Sequence, residues 1–231
     1  MADNIDSSTF SEIHEVEPRR IEPETRSRIV SFLDIMGFKD MISRQEETQI
    51  KEKLETLSRF ISENVTEESG TQFSIFSDSI ILFSKDNSES SFEQLVTLSG
   101  KIVKKSISLG LPIKGAIASG MCTVSQGVKP FYFGQPIVDA YQLEEDIVLY
   151  GVAMHHTVEN LAEHFSQGNG SIVFDYSLSL KKGTSKHYVV DWFSESKEEN
   201  LDNLRNIRHT VSDSPRRYID NTINCINSRP E

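Results

Sequence analysis

The chain has 231 residues, with 24 Lys and Arg against 35 Asp and Glu, a formal net charge of −11. That negative balance argues against a nucleic-acid groove, because polyanions are held by Lys and Arg that release counterions. It leaves room for a small anionic substrate bridged by metal ions, and the lack of any run of ~18 apolar residues predicts no membrane-spanning helix.

Residues 1–27 are polar, acidic and aperiodic, and are read as an arm without a fixed fold. The start lacks the charged-then-apolar layout of a secretory leader. Cys122 and Cys225 fit no metal or redox spacing, so both are read as reduced thiols in a cytoplasmic protein. The strand "RIVSFLDIMGF" follows, carrying Asp34 and then Gly37. In "EETQIKEKLETLSRFISENV", Ile50, Leu54, Leu57, Phe60 and Ile61 recur at helical spacing. "FSIFSDSIILF" reads as a hairpin with Asp78 at its turn, where Ser-Asp-Ser is also ordinary turn chemistry. "SFEQLVTLSGKIVKKSISLG" is a second amphipathic helix, with Gly110 placed to end it.

"LPIKGAIASGMCTV" is read as a strand, and "PFYFGQPIVDAYQLEED" as a strand turning into a helix. "VLYGVAMHHTVENLAEHF" gives a further strand and helix, "SIVFDY" and "KHYVVDWF" two late strands, and a polar helical tail closes the chain. The order β-α-β-β-α-β with additions predicts an α/β (α+β) sandwich of the ferredoxin-like kind. The domain is placed at 28–195, with a C-terminal helical extension over 196–231.

In such a unit the first strand and the following hairpin lie side by side, so Asp34 and Asp78 are expected to meet. Two carboxylates repel unless a cation intervenes, and hard oxygen ligands suit Mg²⁺ or Mn²⁺. Two metals ~4 Å apart can activate a sugar hydroxyl while holding phosphate oxygens. The segment "IMGFKD" enters a helix whose backbone N–H groups are candidates to cradle phosphates, with Gly37 allowing close approach. Phe32 shares a strand face with Asp34, which suits contact with a base or a place in the core. Lys39 is weighed as a phosphate contact against an exposed helical lysine, and Lys114 is read as a solvated strand lysine. His155 and His156 are adjacent, do not converge, and are read as packing histidines; Trp192 is read as core.

"FLDIMGF", "FSDSIILF", "IKGAIASG" and "FGQPIVDAYQLE" together resemble the class III nucleotidyl cyclase domain, from about residue 28 to 165. Within it the chain most resembles the pyrimidine cyclases of the bacterial Pycsar anti-phage system. The resemblance implies a homodimer with active sites at its interface. Asp34 and Asp78 match the two metal-binding aspartates, and Ile35 matches the residue that offers its main-chain carbonyl to a metal. Phe32, Gly37, Phe38 and Ser74 are the candidate nucleotide-binding residues, and the resemblance implies two Mn²⁺ or Mg²⁺ ions per site. The implied reaction converts UTP, or CTP, to the 3′,5′-cyclic nucleotide and pyrophosphate, and the product activates a separate effector protein.

The departures from the family's pattern carry information too. Ser74 stands where adenylyl and guanylyl cyclases commonly carry the Lys or Glu that reads a purine, and Phe131 holds the partner position. Val138 and Gln142 fall where the family has its Asn and Arg. A purine cyclase is not expected. A pyrimidine cyclase, a degenerate domain that only binds a nucleotide or protein, and another two-metal phosphoryl-transfer enzyme on a palm-like fold remain.

Overall fold

The computed structural model describes residues 23–229 except 45, 67, 126–129, 168–169 and 212–213. The arm expected over 1–27 lies outside the described residues as far as residue 22, and the first strand takes in residues 24–27. The elements are β1 (Glu24–Ile35), α1 (Phe38–Arg44), α2 (Glu47–Asn64), β2 (Gln72–Phe76), β3 (Ser79–Phe83), α3 (Glu89–Ser108), β4 (Ile113–Ser125) and β5 (Phe131–Gly134). They continue as α4 (Gln135–Asp146), β6 (Gly151–Met154), α5 (Glu159–Phe165), β7 (Val173–Leu180), β8 (Gly183–Val190), α6 (Lys197–Thr210) and α7 (Ser214–Ser228).

Eight strands form one sheet in the order β2-β3-β1-β4-β6-β8-β7, with β5 paired to β4. The β2-β3-β1-β4 portion with α2 and α3 is the expected ferredoxin-like core. β4 and β6 pair in parallel, while β1 lies antiparallel to both β3 and β4. Gly115 permits the central pairing, because a Cβ there would fall 2.5 Å from both the Leu33 side chain and the Phe32 carbonyl oxygen.

Strand alternation divides β1 between two layers. Ile29, Leu33 and Ile35 point into the main core with Phe92, Leu95, Ile102 and Val103 of α3. Ser31, on that same face, bonds to Ser99 of α3 at 3.0 Å. Val30 faces the other way into a small cluster with Phe83, Cys122 and Val124, against which Ile137 of α4 packs. Asp34 therefore lies on the α4 face, and α3 covers the opposite one. α3 starts at Ser88, whose side chain accepts from the Ser91 N–H, and Gly110 closes it at φ +69°.

The C-terminal helices are tied to the sheet through the segment before β6. Asn221 donates to the Val148 carbonyl at 2.6 Å, and the Tyr150 N–H donates to the Thr222 hydroxyl at 2.8 Å. Among the described residues no helix is long and apolar enough to cross a membrane.

Candidate active site

Asp34 is the penultimate residue of β1, directly across from Ser79 of β3 and Lys114 of β4. The β2–β3 connection is a two-residue turn, since Phe76 pairs with Ser79 and only Ser77 and Asp78 lie between. Such a turn needs positive φ near its start. Ser77 supplies it at φ 56°, a conformation an L side chain adopts at a cost of about 1–2 kcal/mol. The turn is held against β1: the Ile35 N–H donates to the Asp78 carbonyl at 2.9 Å, and the Met36 N–H donates to the Pro112 carbonyl at 2.8 Å. The end of β1 is thereby fixed to the hairpin on one side and to the start of β4 on the other.

Asp34 feels the charge of Asp78. The Asp34 carboxyl is pushed up to about 6, first by burial, then by the negative charges of Glu144 and Asp78. Lys114 and a long 3.5 Å hydrogen bond from the Ser79 hydroxyl pull weakly the other way. Among the described residues no group of three or more His, Cys, Asp or Glu could hold a metal. The protein thus offers a pair of carboxylates and main-chain oxygens. That donor set fits Mg²⁺ or Mn²⁺, which are commonly bound by one or two carboxylates with substrate phosphates completing the shell.

Lys114 is a correction to the sequence reading. It is only 5% exposed, and its ammonium is 2.9 Å from the buried Glu144 carboxylate and 2.7 Å from the Glu144 carbonyl. Both contacts lie at the C-terminal end of α4, where helix carbonyls attract a cation. Burial pushes the Glu144 carboxyl up, while Lys114 opposes that shift. The clue in the sequence was the spacing of Pro136, Ala140 and Glu144, the buried stripe of α4, which puts an acid where an apolar residue belongs. A buried acid needs a buried cation.

The remaining site residues divide by face. Ser74, Ile81, Phe32 and Ala116 form one row across four strands, on the same side as Asp34. Phe32 is 9% exposed and meets Tyr141 edge-on, with ring centroids 5.5 Å apart. Tyr141, which sequence reasoning missed, is the exposed ring of that pair. The Ile35 side chain is buried in the opposite layer. Gly37 adopts φ +74° with nothing within 4 Å of a Cβ, so backbone conformation rather than space selects it. Phe38 opens α1 and packs on the main core, and Lys39 beside it is exposed.

Phe131 does not join this group within one chain. On β5 it pairs with Ser125, and alternation puts it with Phe133 on the face opposite Tyr132, which packs toward α4. Val138 and Gln142 are exposed on α4. His155 and His156 correct the sequence expectation, since their rings do converge, with centroids 4.0 Å apart and planes tilted by 47°; Trp192 is buried as expected.

No family model matches this sequence, and no curated protein matches it. Solved structures do. The adenylyl cyclase CyaB from P. aeruginosa superposes with a TM-score of 0.57 at 16% identity, covering 74% of this chain and 97% of that one. The guanylate cyclase domain of RhGC from Catenaria anguillulae, solved with GTP, gives 0.55 at 16% identity, over 72% and 97%. The dimeric guanylyl cyclase domain of the RhoGC fusion protein from the aquatic fungus Blastocladiella emersonii gives 0.56 at 16% identity, over 73% and 96%. The fold of this chain is that of the class III nucleotidyl cyclase domains.

Proposed function

We propose that the chain is a nucleotide cyclase that acts on a pyrimidine triphosphate, forming 3′,5′-cyclic UMP from UTP. The observation that carries this reading is the Ile35 N–H bond to the Asp78 carbonyl, which sets the Asp78 turn beside Asp34, whose carboxyl is raised by burial, by Glu144 and by Asp78. Such a pair is costly in the free protein and is explained by a divalent cation. Two Mn²⁺ or Mg²⁺ ions, when bound, would supply charge for the triphosphate and lower the pKa of the ribose 3′-hydroxyl. Asp34, Asp78 and the Ile35 carbonyl are the proposed ligands. In the reaction the 3′-oxygen bonds to the α-phosphorus, the bond from that phosphorus to the bridging oxygen breaks, and pyrophosphate leaves with the hydroxyl proton released. The protein's part is positioning and charge.

The proposed active form is a homodimer. Phe76, at the hairpin, is 82% exposed, and Phe133 and Met121 on the β4–β5 ribbon are 61% and 58% exposed. Exposed apolar groups of this size suit burial against a second copy. A second copy would also bring Phe131 toward the site that its own chain does not let it reach. Gly37, Phe38, Phe32 and Ser74 are the proposed nucleotide contacts. In this reading the cyclic nucleotide activates a separate effector in anti-phage defence.

One observation favours the rival reading, a domain that binds a nucleotide or a partner protein without turnover. Val138 and Gln142 are exposed on α4 where the resembled family carries an Asn and an Arg. Incubating the purified protein with each of the four NTPs and Mn²⁺, then identifying products by mass, decides between them. Cyclic UMP, or cyclic CMP as the runner-up, supports the cyclase; four unchanged triphosphates support the binding module.

A further inference from the structure

On the sheet face that carries α3, away from Asp34, a cavity of about 530 Å³ opens between α3, the chain after β8 and the C-terminal residues. Its apolar wall is formed by the half-buried Ile172 and the 7% exposed edge of Trp192, and its lining carries Lys101, Lys104, Lys197 and Arg229. The carboxylates of the lining are Asp191 and Glu195. Asp191 is already matched, since Arg229 Nε donates to it at 2.9 Å. Arg229 is further fixed by the Ser171 hydroxyl at 2.5 Å and by the Phe174 ring, 4.9 Å away. That leaves three lysines facing one glutamate in a chain of net charge −11.

None of the three lysines has a carboxylate within 4.0 Å among the described residues; Lys104 donates to the neutral Ser196 hydroxyl at 2.9 Å. Lys101 and Lys104 lie one helical step apart on α3 and therefore share a face. Like charges gathered at a concave surface focus potential and attract a counter-ion. Gly100 sets the depth of this wall, because a Cβ there would come within 3.1 Å of Val190 and 3.5 Å of Trp192.

We propose that this cavity is a second ligand site, taking a small phosphorylated molecule of nucleotide size. The apolar wall with Trp192 receives the flat ring, and Lys101, Lys104 and Lys197 receive the phosphate. The volume falls in the range of small-molecule pockets, roughly 300–1,000 Å³. The ligand sits behind the sheet from Asp34 and Asp78, so both sites can be filled together. Its chemistry is that of a phosphomonoester on an apolar body, distinct from inorganic phosphate, which uses the lysines alone.

Trp192 is the single tryptophan of the chain, which gives the site its own optical reporter. The test is equilibrium dialysis of the full chain with labelled UMP and, separately, labelled AMP, in EDTA, with tryptophan emission read alongside. At least one nucleotide should bind saturably, near one per chain, with a Kd below about 1 mM. Binding should survive in D34N/D78N, and inorganic phosphate should be weaker by about tenfold or more. The charge-reversed K101E/K104E chain should lose affinity by about tenfold or more while keeping its circular dichroism; if it fails to fold, K101Q/K104Q takes its place. No saturable binding of either nucleotide would overturn the site. So would wild-type affinity in the lysine variant, loss of binding in D34N/D78N, or phosphate binding as tightly as the nucleotides.

Discussion

The Ile35 N–H and the Asp78 carbonyl, 2.9 Å apart, join the end of β1 to the turn of the β2–β3 hairpin. That backbone bond holds the main chain of the Asp78 turn against the end of β1, next to Asp34. It also explains the tight turn. With Ser77 at φ 56°, Asp78 presents its carbonyl to β1 while its neighbour Ser79 already pairs with Asp34. Replacing Ser77 with Gly should relieve that conformation and raise stability by about 0.5–1 kcal/mol, read by urea unfolding. A loss of stability in Ser77→Gly would show that the turn is not strained.

The raised Asp34 carboxyl makes a signed prediction for the metal-free protein. Its folded value, about 6, exceeds the ordinary 3.8, so the folded state holds the proton more tightly. Stability then falls as pH rises from about 4 through about 6 and stays low above it. Allowing for partial exposure, the effect is about 2 kcal/mol. Asp34→Asn should therefore melt higher than the natural protein in EDTA at pH 8, with the gap closing toward pH 4. Mn²⁺ affinity should run the opposite way, falling as pH drops below about 6, because the ion needs the charged carboxylate. Turnover should disappear in Asp34→Asn and Asp78→Asn alike. A D34N protein that melts lower than wild type at pH 8 would show that the charged Asp34 carboxylate costs the fold nothing.

Lys114 and Glu144 form a buried pair whose members depend on each other. Removing the cation strands a buried acid, which costs about 3–5 kcal/mol in such settings. Lys114→Met alone should be strongly destabilised at pH 8 and partly recovered as the pH is lowered, because burial raises the Glu144 carboxyl and favours its protonated form. Lys114→Met with Glu144→Leu should recover most of the loss at pH 8. If the double variant is no more stable than Lys114→Met at pH 8, the pair is not the source of the cost.

Much of this site was legible from local pattern. Alternation in "RIVSFLD" fixes the face of Asp34, and "FSDS" between two apolar runs announces the hairpin that brings Asp78 beside it. Lys114 was not legible, because its partner lies 30 residues on, and the pairing depends on where α4 crosses β4. The same long-range dependence hid the Phe32–Tyr141 contact and the face of Phe131. Both follow from strand register and helix placement, which no short window contains. The parallel pairing of β4 with β6 and the docking of α7 through Thr222 are of that kind too.

Exposed rings at the hairpin and the ribbon predict assembly. Phe76→Glu and Phe133→Glu each put a charge where a homodimer would bury an aromatic ring, at a cost of about 2–4 kcal/mol in association. Both should shift the protein to monomer in sedimentation at micromolar concentration and lower turnover in parallel, while leaving circular dichroism unchanged. Full activity in a monomeric variant would show that one chain completes its own site.

The proposed base preference rests on the row Ser74, Ile81, Phe32, in which a hydroxyl and a ring stand two strands apart with an aliphatic side chain between them. Strands are spaced about 4.8 Å, so the hydroxyl and the ring lie roughly 10 Å apart, a span that suits a single-ring base with its sugar. A short hydroxyl reads an edge only when the base comes close, and a pocket that hydrogen-bonds its substrate rejects the wrong base far better than an apolar one. UTP or CTP should therefore be cyclised well ahead of ATP and GTP. Ser74→Ala should cut that preference by about tenfold with little effect on stability. Phe32, at 9% exposure, is the poorer probe: Phe32→Ala should cost about 3 kcal/mol of stability along with turnover. Tyr141→Ala, which removes the exposed partner of that ring, should lower kcat/KM for the pyrimidine while changing the melting point little. Equal rates with ATP or GTP would defeat the pyrimidine reading and leave the cyclase reading standing, since the carboxylate pair serves any triphosphate.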